Sequence, residues 1–380
     1  MKPPPAPLRR AIVDPLWLPI AVVVASALLA AAIAGALGWP FTRRGRVTRL
    51  ALFGALYVLL DVALMLACLA LWLRTPVPGW RDAERWQDAH TTLLRWVLST
   101  LRAAAGPLLG FAVAIEEPPG SARIAAGPVL VLARHAGPGD SFTLVELLLT
   151  RYRRRPRIVL KESLRWDPGL DIILTRLPSC FVPVRVPADL PDQLARLSAS
   201  LHGNDAMLIF PEGGHWTPRR YRRALARLRR ASKIQAAADA AENPNVLPPR
   251  PAGVLAILAA RPDLDVMVVA HTGLDDLVSA AQVWRALPVT GRPMRVRWWH
   301  EPAGNVPAGA EQQYEWLRLQ WALVDSWVGA RKAAIAAEAD PEPAVIEPAG
   351  IELAPADLSG EVVGDPGGGQ DADPVVGSPG

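Results

Sequence analysis

The sequence predicts an α/β domain, a mixed sheet flanked by helices, preceded by an N-terminal membrane-embedded pair of helices. Three observations carry this expectation. Two long apolar stretches open the chain, Trp17–Leu37 and Leu50–Leu73. From Phe111 onward, short apolar runs alternate with segments of helical periodicity, the pattern of a layered α/β domain. Two of the apolar runs end in glycine-rich junctions, where open α/β sheets place their sites.

Trp17–Leu37 carries no charge over 21 residues, enough to cross a hydrocarbon core of ~30 Å. The following Gly38-Trp-Pro-Phe-Thr-Arg-Arg does not suit signal-peptide cleavage. Leu50–Leu73 is broken by Asp61 alone; a lone aspartate at mid-span costs ~2.5–3.5 kcal/mol, so it is expected to face the partner helix. Lys2, Arg9 and Arg10 precede the first helix, and Arg43, Arg44, Arg46 and Arg49 crowd the turn between the two. The positive-inside rule then gives opposing votes. Two arrangements stay open: a full span, or a hairpin in one leaflet with its arginines against anionic headgroups. Thr75-Pro-Val-Pro-Gly79 reads as a linker.

Trp80–Leu109 has helical periodicity. Strands Phe111–Ile115 and Pro128–Ala133 follow, then helix Phe142–Tyr152, strand Arg157–Leu160, helix Pro168–Thr175 and strand Cys180–Arg185. Helix Leu190–Leu201, strand Ala206–Phe210 and a long helical region Arg219–Ala241 come next. Helix Ala252–Ala260, strands Asp265–Ala270 and Met294–His300, and a closing helix Glu311–Ala334 complete the domain. Trp316, Trp321 and Trp327 on that last helix read as packing. Beyond it Pro, Gly, Ala, Asp and Glu dominate, too little apolar surface to offset ordering entropy. The expected organisation is residues 1–79 as helical pair and linker, 80–334 as the main domain, and 335–380 as a disordered acidic tail.

The chain has 380 residues, 51% of them hydrophobic, and a net charge of +5; ten acidic residues and no Lys or Arg follow Lys332, which conceals +15 on the remainder. A basic domain joined to a membrane segment implies an anionic-lipid surface. The basic runs lack the aromatic interleaving of single-strand binders, so nucleic acid is not an expected partner. Two cysteines, Cys68 and Cys180, make no disulfide framework, and no metal-ligand spacing is present.

The chemistry lies in two junctions. His135 and Asp140 stand five positions apart in Arg134-His-Ala-Gly-Pro-Gly-Asp-Ser141. An imidazole takes a proton from a hydroxyl near neutral pH, and a carboxylate on its other nitrogen fixes the tautomer. The pair alone better fits a turn whose aspartate caps the next helix. The second junction, Ala206-Met-Leu-Ile-Phe-Pro-Glu-Gly-Gly-His215, tips the balance towards chemistry, because its two glycines permit close backbone approach to a ligand.

Together these blocks resemble the glycerolipid acyltransferase family, whose signature is H-x4-D followed by F-P-E-G. The resemblance runs from about Ala112 to Pro302. It includes Lys161-Glu-Ser-Leu164, Phe181-Val-Pro-Val-Arg185 and Leu247-Pro-Pro-Arg-Pro-Ala-Gly253. The last block and Trp216-Thr217 are most similar to the lysophosphatidate and lysophospholipid acyltransferases. The resemblance implies direct acyl transfer from acyl-CoA or acyl carrier protein to lysophosphatidic acid, giving phosphatidic acid at the cytoplasmic side of the cell membrane, with no cofactor and no metal. His135 would be the base and Asp140 its orienting group. Glu212, Gly213, Gly214 and His215 would shape the acceptor pocket, with Arg185, Lys161 and Arg250 as candidate phosphate ligands or surface ion pairs. Family members carry Thr-Arg where this chain has Gly214-His215, which shifts phosphate recognition towards Arg185 or Arg219. They also often carry Asn at the position of Arg134. Other lysophospholipid, glycolipid or polyol acceptors, and a non-catalytic lipid-binding scaffold, are the alternatives. The seven arginines of Arg219–Arg230 read as a headgroup-docking face, and His90, His202, His271 and His300 as structural.

Overall fold

The computed structural model describes residues 3–38, 45–75, 83–117, 127–137 and 139–339. The linker after Thr75, Arg43 and Arg44, Pro138 and the tail from residue 340 lie outside them. Helix α1 spans Ala6–Leu37 and α2 spans Arg46–Arg74. Both are long and apolar enough to cross a membrane. Helix α3 (Ala83–Leu109) leads into β1 (Val113–Glu116) and β2 (Val129–Ala133). Then come α4 (Asp140–Thr150), β3 (Arg155–Lys161), a 3-10 turn Glu162–Trp166, α5 (Pro168–Arg176), β4 (Cys180–Val182), α6 (Leu190–Ala199) and β5 (Asp205–Ile209). The chain continues through α7 (Pro218–Arg230), α8 (Ile234–Glu242), α9 (Pro251–Ala260), β6 (Asp265–Thr272), α10 (Ala280–Ala286), β7 (Met294–Glu301) and α11 (Ala310–Ala339).

The sheet is mixed, in the order β1-β7-β6-β2-β5-β3-β4. Strands β2 to β6 run parallel, and β7 is antiparallel to β6. The central strands β2, β5 and β6 are apolar along most of their length because both faces are covered. Val129, Val131 and Ala133 of β2 face one core, together with Leu60, Leu64 and Cys68 of α2, Leu94 and Leu98 of α3, Leu148 of α4 and Ile173 of α5. Leu130 and Leu132 face the other, with Leu194, Ile257, Leu317, Trp321 and Val328. The expected tryptophan packing is therefore found. Helix α2 is a core element of the domain rather than a tether to it.

Three departures from expectation have a physical reason. Strand β4 stops at Val182, because Pro183 has no N–H to donate to a ladder. The helical region after Arg219 breaks at Ala231–Lys233 with Ser232 at φ 54°, and α8 turns back so that Ala240 O accepts from the Tyr221 hydroxyl at 2.9 Å. Helix α10 went unforeseen; it buries no side chain, so it has no apolar stripe to betray it.

Polar contacts fix the helix pair along the domain. Arg9 makes a buried two-pronged pair with Asp171 of α5 (2.9 and 3.1 Å), and Arg10 reaches the same carboxylate at 2.8 Å. Asp61 accepts from the indole of Trp17 on α1 at 2.7 Å, meeting the expectation that it faces its partner helix. A Cβ at Gly169 would collide with the Asp61 carboxylate, so glycine admits α5 against α2. Tyr57 donates to Asp167. At the other end of α2, Arg46 donates to Arg285 O and Leu287 O (both 3.1 Å), and Arg49 to Pro107 O at 2.9 Å. These two arginines are tied to the domain.

Candidate active site

The parallel strands deliver the expected residues to one edge of the sheet. His135 follows β2, Glu212 follows β5, Lys161 ends β3, and Arg185 follows β4. In sheet order these are successive neighbours. At ~4.8 Å per strand the row is about 14 Å long, with His135 at one end and Arg185 at the other.

His135 Nδ1 lies 3.0 and 2.9 Å from the two carboxylate oxygens of Asp140. A carboxylate only accepts, so Nδ1 carries the proton and Nε2 keeps its lone pair. Asp140 is buried and also accepts from Ala136 N (2.7 Å), Gly137 N (3.0 Å) and Ser141 Oγ (3.1 Å). Burial alone would raise its pKa; the bond from His135 and the neighbouring His271 outweigh that and hold it at about 2. The capping alternative is excluded by geometry. Gly139 is the N-cap of α4, no side chain caps that helix, and the Asp140 bonds run back to the strand junction. Phe210 lies over the imidazole with centroids 4.5 Å apart.

Glu212 does not line an open surface. It is buried and accepts from His135 N (3.3 Å), Leu247 N (3.4 Å) and the indole of Trp321 (3.3 Å). It thereby ties three separate segments together behind the dyad. Burial pushes its pKa up to about 8 against the opposing charge of Arg134 and these donors. Gly213 takes φ +68°, which requires glycine, and a Cβ there would lie 2.9 Å from the guanidinium carbon of Arg250. Arg250 thus covers the Gly213 turn, its backbone N–H bonded to Pro211 O at 2.9 Å.

His215 stands edge-on to His135 with centroids 5.7 Å apart. Burial, then the charges of Arg220, His135 and Lys161, push its pKa down to about 4, so it is uncharged near neutral pH. The cation beside it is Arg220, whose guanidinium donates to His215 O at 3.0 Å and lies 3.1 Å from where a Gly214 side chain would begin. Of the expected phosphate ligands, Lys161 shares this neighbourhood; crowding and Arg220 lower its pKa. Arg185 and Arg219 are exposed, and among the described residues Arg185 has no hydrogen bond or ion pair with the dyad.

Three residues stand behind the dyad: Arg134, noted in the sequence for departing from the family pattern, His271, read there as structural, and Asp275, which the sequence reading missed. Arg134 is fully buried and donates to Asp275 (2.5 Å), His271 O (2.7 Å) and Asn245 O (2.8 Å). His271, also fully buried, donates from Nε2 to Arg134 O (2.7 Å) and lies 3.4 Å from Asp140. Asp275 accepts further from Thr272 Oγ at 2.8 Å. A basic residue in an apolar strand with acidic residues elsewhere is the only sequence signal for such a network.

Residues 117–248 match the family model described as Acyltransferase. That stretch is similar to acyltransferases. The match takes in His135, Asp140, Lys161, Arg185 and Glu212–His215, and Arg250 falls just beyond it. Among solved structures, the chain is similar to the 1-acyl-sn-glycerophosphate (LPA) acyltransferase PlsC of Thermotoga maritima, at 15% identity and a TM-score of 0.44, over 73% of this chain and 96% of that one. No curated protein matches.

Proposed function

We propose that this acyltransferase moves a fatty acyl group from a thioester, acyl-CoA or acyl carrier protein, to the free hydroxyl of lysophosphatidic acid, forming phosphatidic acid. The observation that carries the reading is the imidazole of His135, held by Asp140 at Nδ1 with Nε2 open. Nε2 takes the hydroxyl proton as the oxygen attacks the thioester carbonyl. The tetrahedral intermediate collapses with cleavage of the C–S bond, and the thiolate receives the proton back from His135. Lys161 and Arg220 place two cations beside the base, suited to the acceptor's phosphate.

The acceptor comes from a membrane of phospholipids. Residues 1–79 are the anchoring segment of this reading, 80–334 the catalytic domain, and 335–380 an acidic tail. The pair α1–α2 lies within one leaflet, because α2 touches the domain from Arg46, bonded to Leu287 O, to Cys68, whose carbonyl accepts from Arg176 at 2.6 Å. Crossing the bilayer would drag the domain into hydrocarbon. That leaflet is the cytoplasmic one, where thioester donors reside.

Purified protein, vesicles of lysophosphatidic acid in phospholipid and radiolabelled acyl-CoA test this. Wild type yields labelled phosphatidic acid and His135→Ala does not, while both bind vesicles. Transfer to an acceptor without phosphate, or none to any lysolipid, overturns the assignment.

A further inference from the structure

The turns after β3 and β4 are neighbours, since Lys161 pairs with Val182 in register. Each exposes apolar side chains: Trp166 is 44% exposed, Val184 93% and Val186 54%. Single exposed apolar residues are ordinary, but three on adjoining turns form a patch with a cause. The patch is continuous with the helix pair. Asp167, next to Trp166, accepts from Tyr57 in the middle of α2, and Gly169 lies against Asp61 one turn further on. The outward side of α2 presents Leu59, Leu66, Leu69, Trp72 and Leu73. Charge is arranged to match: Arg165 stacks over Phe181 at 4.0 Å, and Arg185 stands between the two valines.

We infer that Trp166, Val184 and Val186 form a rim that inserts into the leaflet occupied by α1 and α2, with Arg165 and Arg185 at the depth of its anionic headgroups. The occupant is the phospholipid leaflet itself. Apolar side chains partition below the phosphates, an indole suits the interface, and guanidinium forks suit phosphate oxygens. The rim stands beside Lys161 at the same sheet edge as His135, so a lipid acceptor moves laterally to the base without leaving the leaflet. The inference rests on the membrane placement proposed above.

Depth measurement separates the two. Both native cysteines are buried, so a small fluorophore is placed on single cysteines in the full chain: Leu59→Cys on α2, Val184→Cys on the rim, and Asp263→Cys ahead of β6, at the opposite edge of the parallel strands. The chain is bound to vesicles of phosphatidylglycerol and phosphatidylcholine carrying a nitroxide near the top of the acyl chain. The labels at 59 and 184 lose most of their emission and the label at 263 keeps it. Quenching at 59 without quenching at 184 overturns the rim and leaves the anchoring intact. No quenching at 59 overturns the membrane placement, and the rim with it. Equal quenching at 263 overturns the rim as a directed surface.

Discussion

Asp140→Asn tests the dyad at its weakest atom. Oδ2 of Asp140 receives Ala136 N at 2.7 Å and Gly137 N at 3.0 Å. In the variant only the amide oxygen can occupy that place, because the amide NH2 would set donor against donor twice. Each buried donor left unmet costs ~1–3 kcal/mol, so the orientation is biased by roughly 2–6 kcal/mol. The NH2 group then takes the place of Oδ1, 3.0 Å from His135 Nδ1, where it opposes the proton that Nδ1 donates to the amide oxygen 2.9 Å away. Donation from the NH2 group favours the tautomer with its proton on Nε2, which lacks the lone pair that would accept the hydroxyl proton. The same exchange in serine-protease triads lowers kcat by about 10⁴, or about 5 kcal/mol in the barrier. The assay is the initial rate of labelled acyl transfer at saturating donor, with thermal unfolding in parallel to verify the fold. A folded variant within about tenfold of wild type would refute the tautomer argument.

Glu212 gives the protein a pH signature. Its folded pKa of about 8 exceeds its ordinary 4.5, so the folded state keeps a proton that the unfolded state releases, and stability falls as pH rises between those values. The buried His271, whose pKa is lowered from 6.5, acts in the opposite direction below that value, so between 6.5 and 8 the difference in slope between wild type and Glu212→Gln reports Glu212. Thermal midpoints fall across this window in wild type and fall less steeply in Glu212→Gln; an unchanged slope assigns the effect elsewhere. Arg220→Gln is expected to raise KM for lysophosphatidic acid about 10- to 100-fold, the worth of one hydrogen bond to a charged group, and to raise it less for a lysolipid whose headgroup lacks a phosphate monoester. Equal effects on both acceptors remove Arg220 from phosphate recognition. Deleting residues 1–79 strips Leu60, Leu64, Met65 and Cys68 from the core, a loss of about 6–12 kcal/mol against a usual total of about 5–15. The fragment is expected to lack a cooperative unfolding transition, and a folded, active fragment would contradict that ledger.

The strands and the dyad were legible because they depend on local pattern. A strand buried on both faces is apolar along most of its length: β2 throughout, β5 after Asp205, and β6 from Val266 to Ala270. His135 and Asp140 belong to one junction, so their meeting needed no long-range information. The supports behind them were hidden, because Arg134 meets Asp275 across 141 positions and Asn245 across 111. Arg220 is an intermediate case. Sequence analysis pointed to Arg185 or Arg219, but Thr217 caps α7 by accepting from Arg220 N at 3.1 Å, and Pro218 fixes the first helical position. That phase turns Arg220 back towards Gly214. The Thr-Pro-Arg-Arg pattern held this information. Membrane-helix composition was equally plain, but composition alone cannot say that α2 shares a core with the sheet.

That shared core links anchoring to chemistry. The buried polar groups on the sheet side of His135 are held in place: Asp140 by four donors, Arg134 by Asp275 and two carbonyls, and Glu212 by three N–H groups. A network satisfied in this way resists reorganisation, so the imidazole is preorganised rather than assembled by substrate. Helix α5 bears on the same frame through Ile173 in the core with Val131 and Ala133, and it is gripped from the other side by Arg9, Arg10 and the Asp61 approach. In the proposed membrane placement, the depth of α1 and α2 therefore fixes the height of the His135 edge above the leaflet, because a close-packed core transmits position. A flexible tether would leave that height undetermined. If His135 is the base proposed above and its acceptor is held at a set depth by an acyl chain, a rigid mounting removes the positional search that a tethered domain would have to make at every turnover.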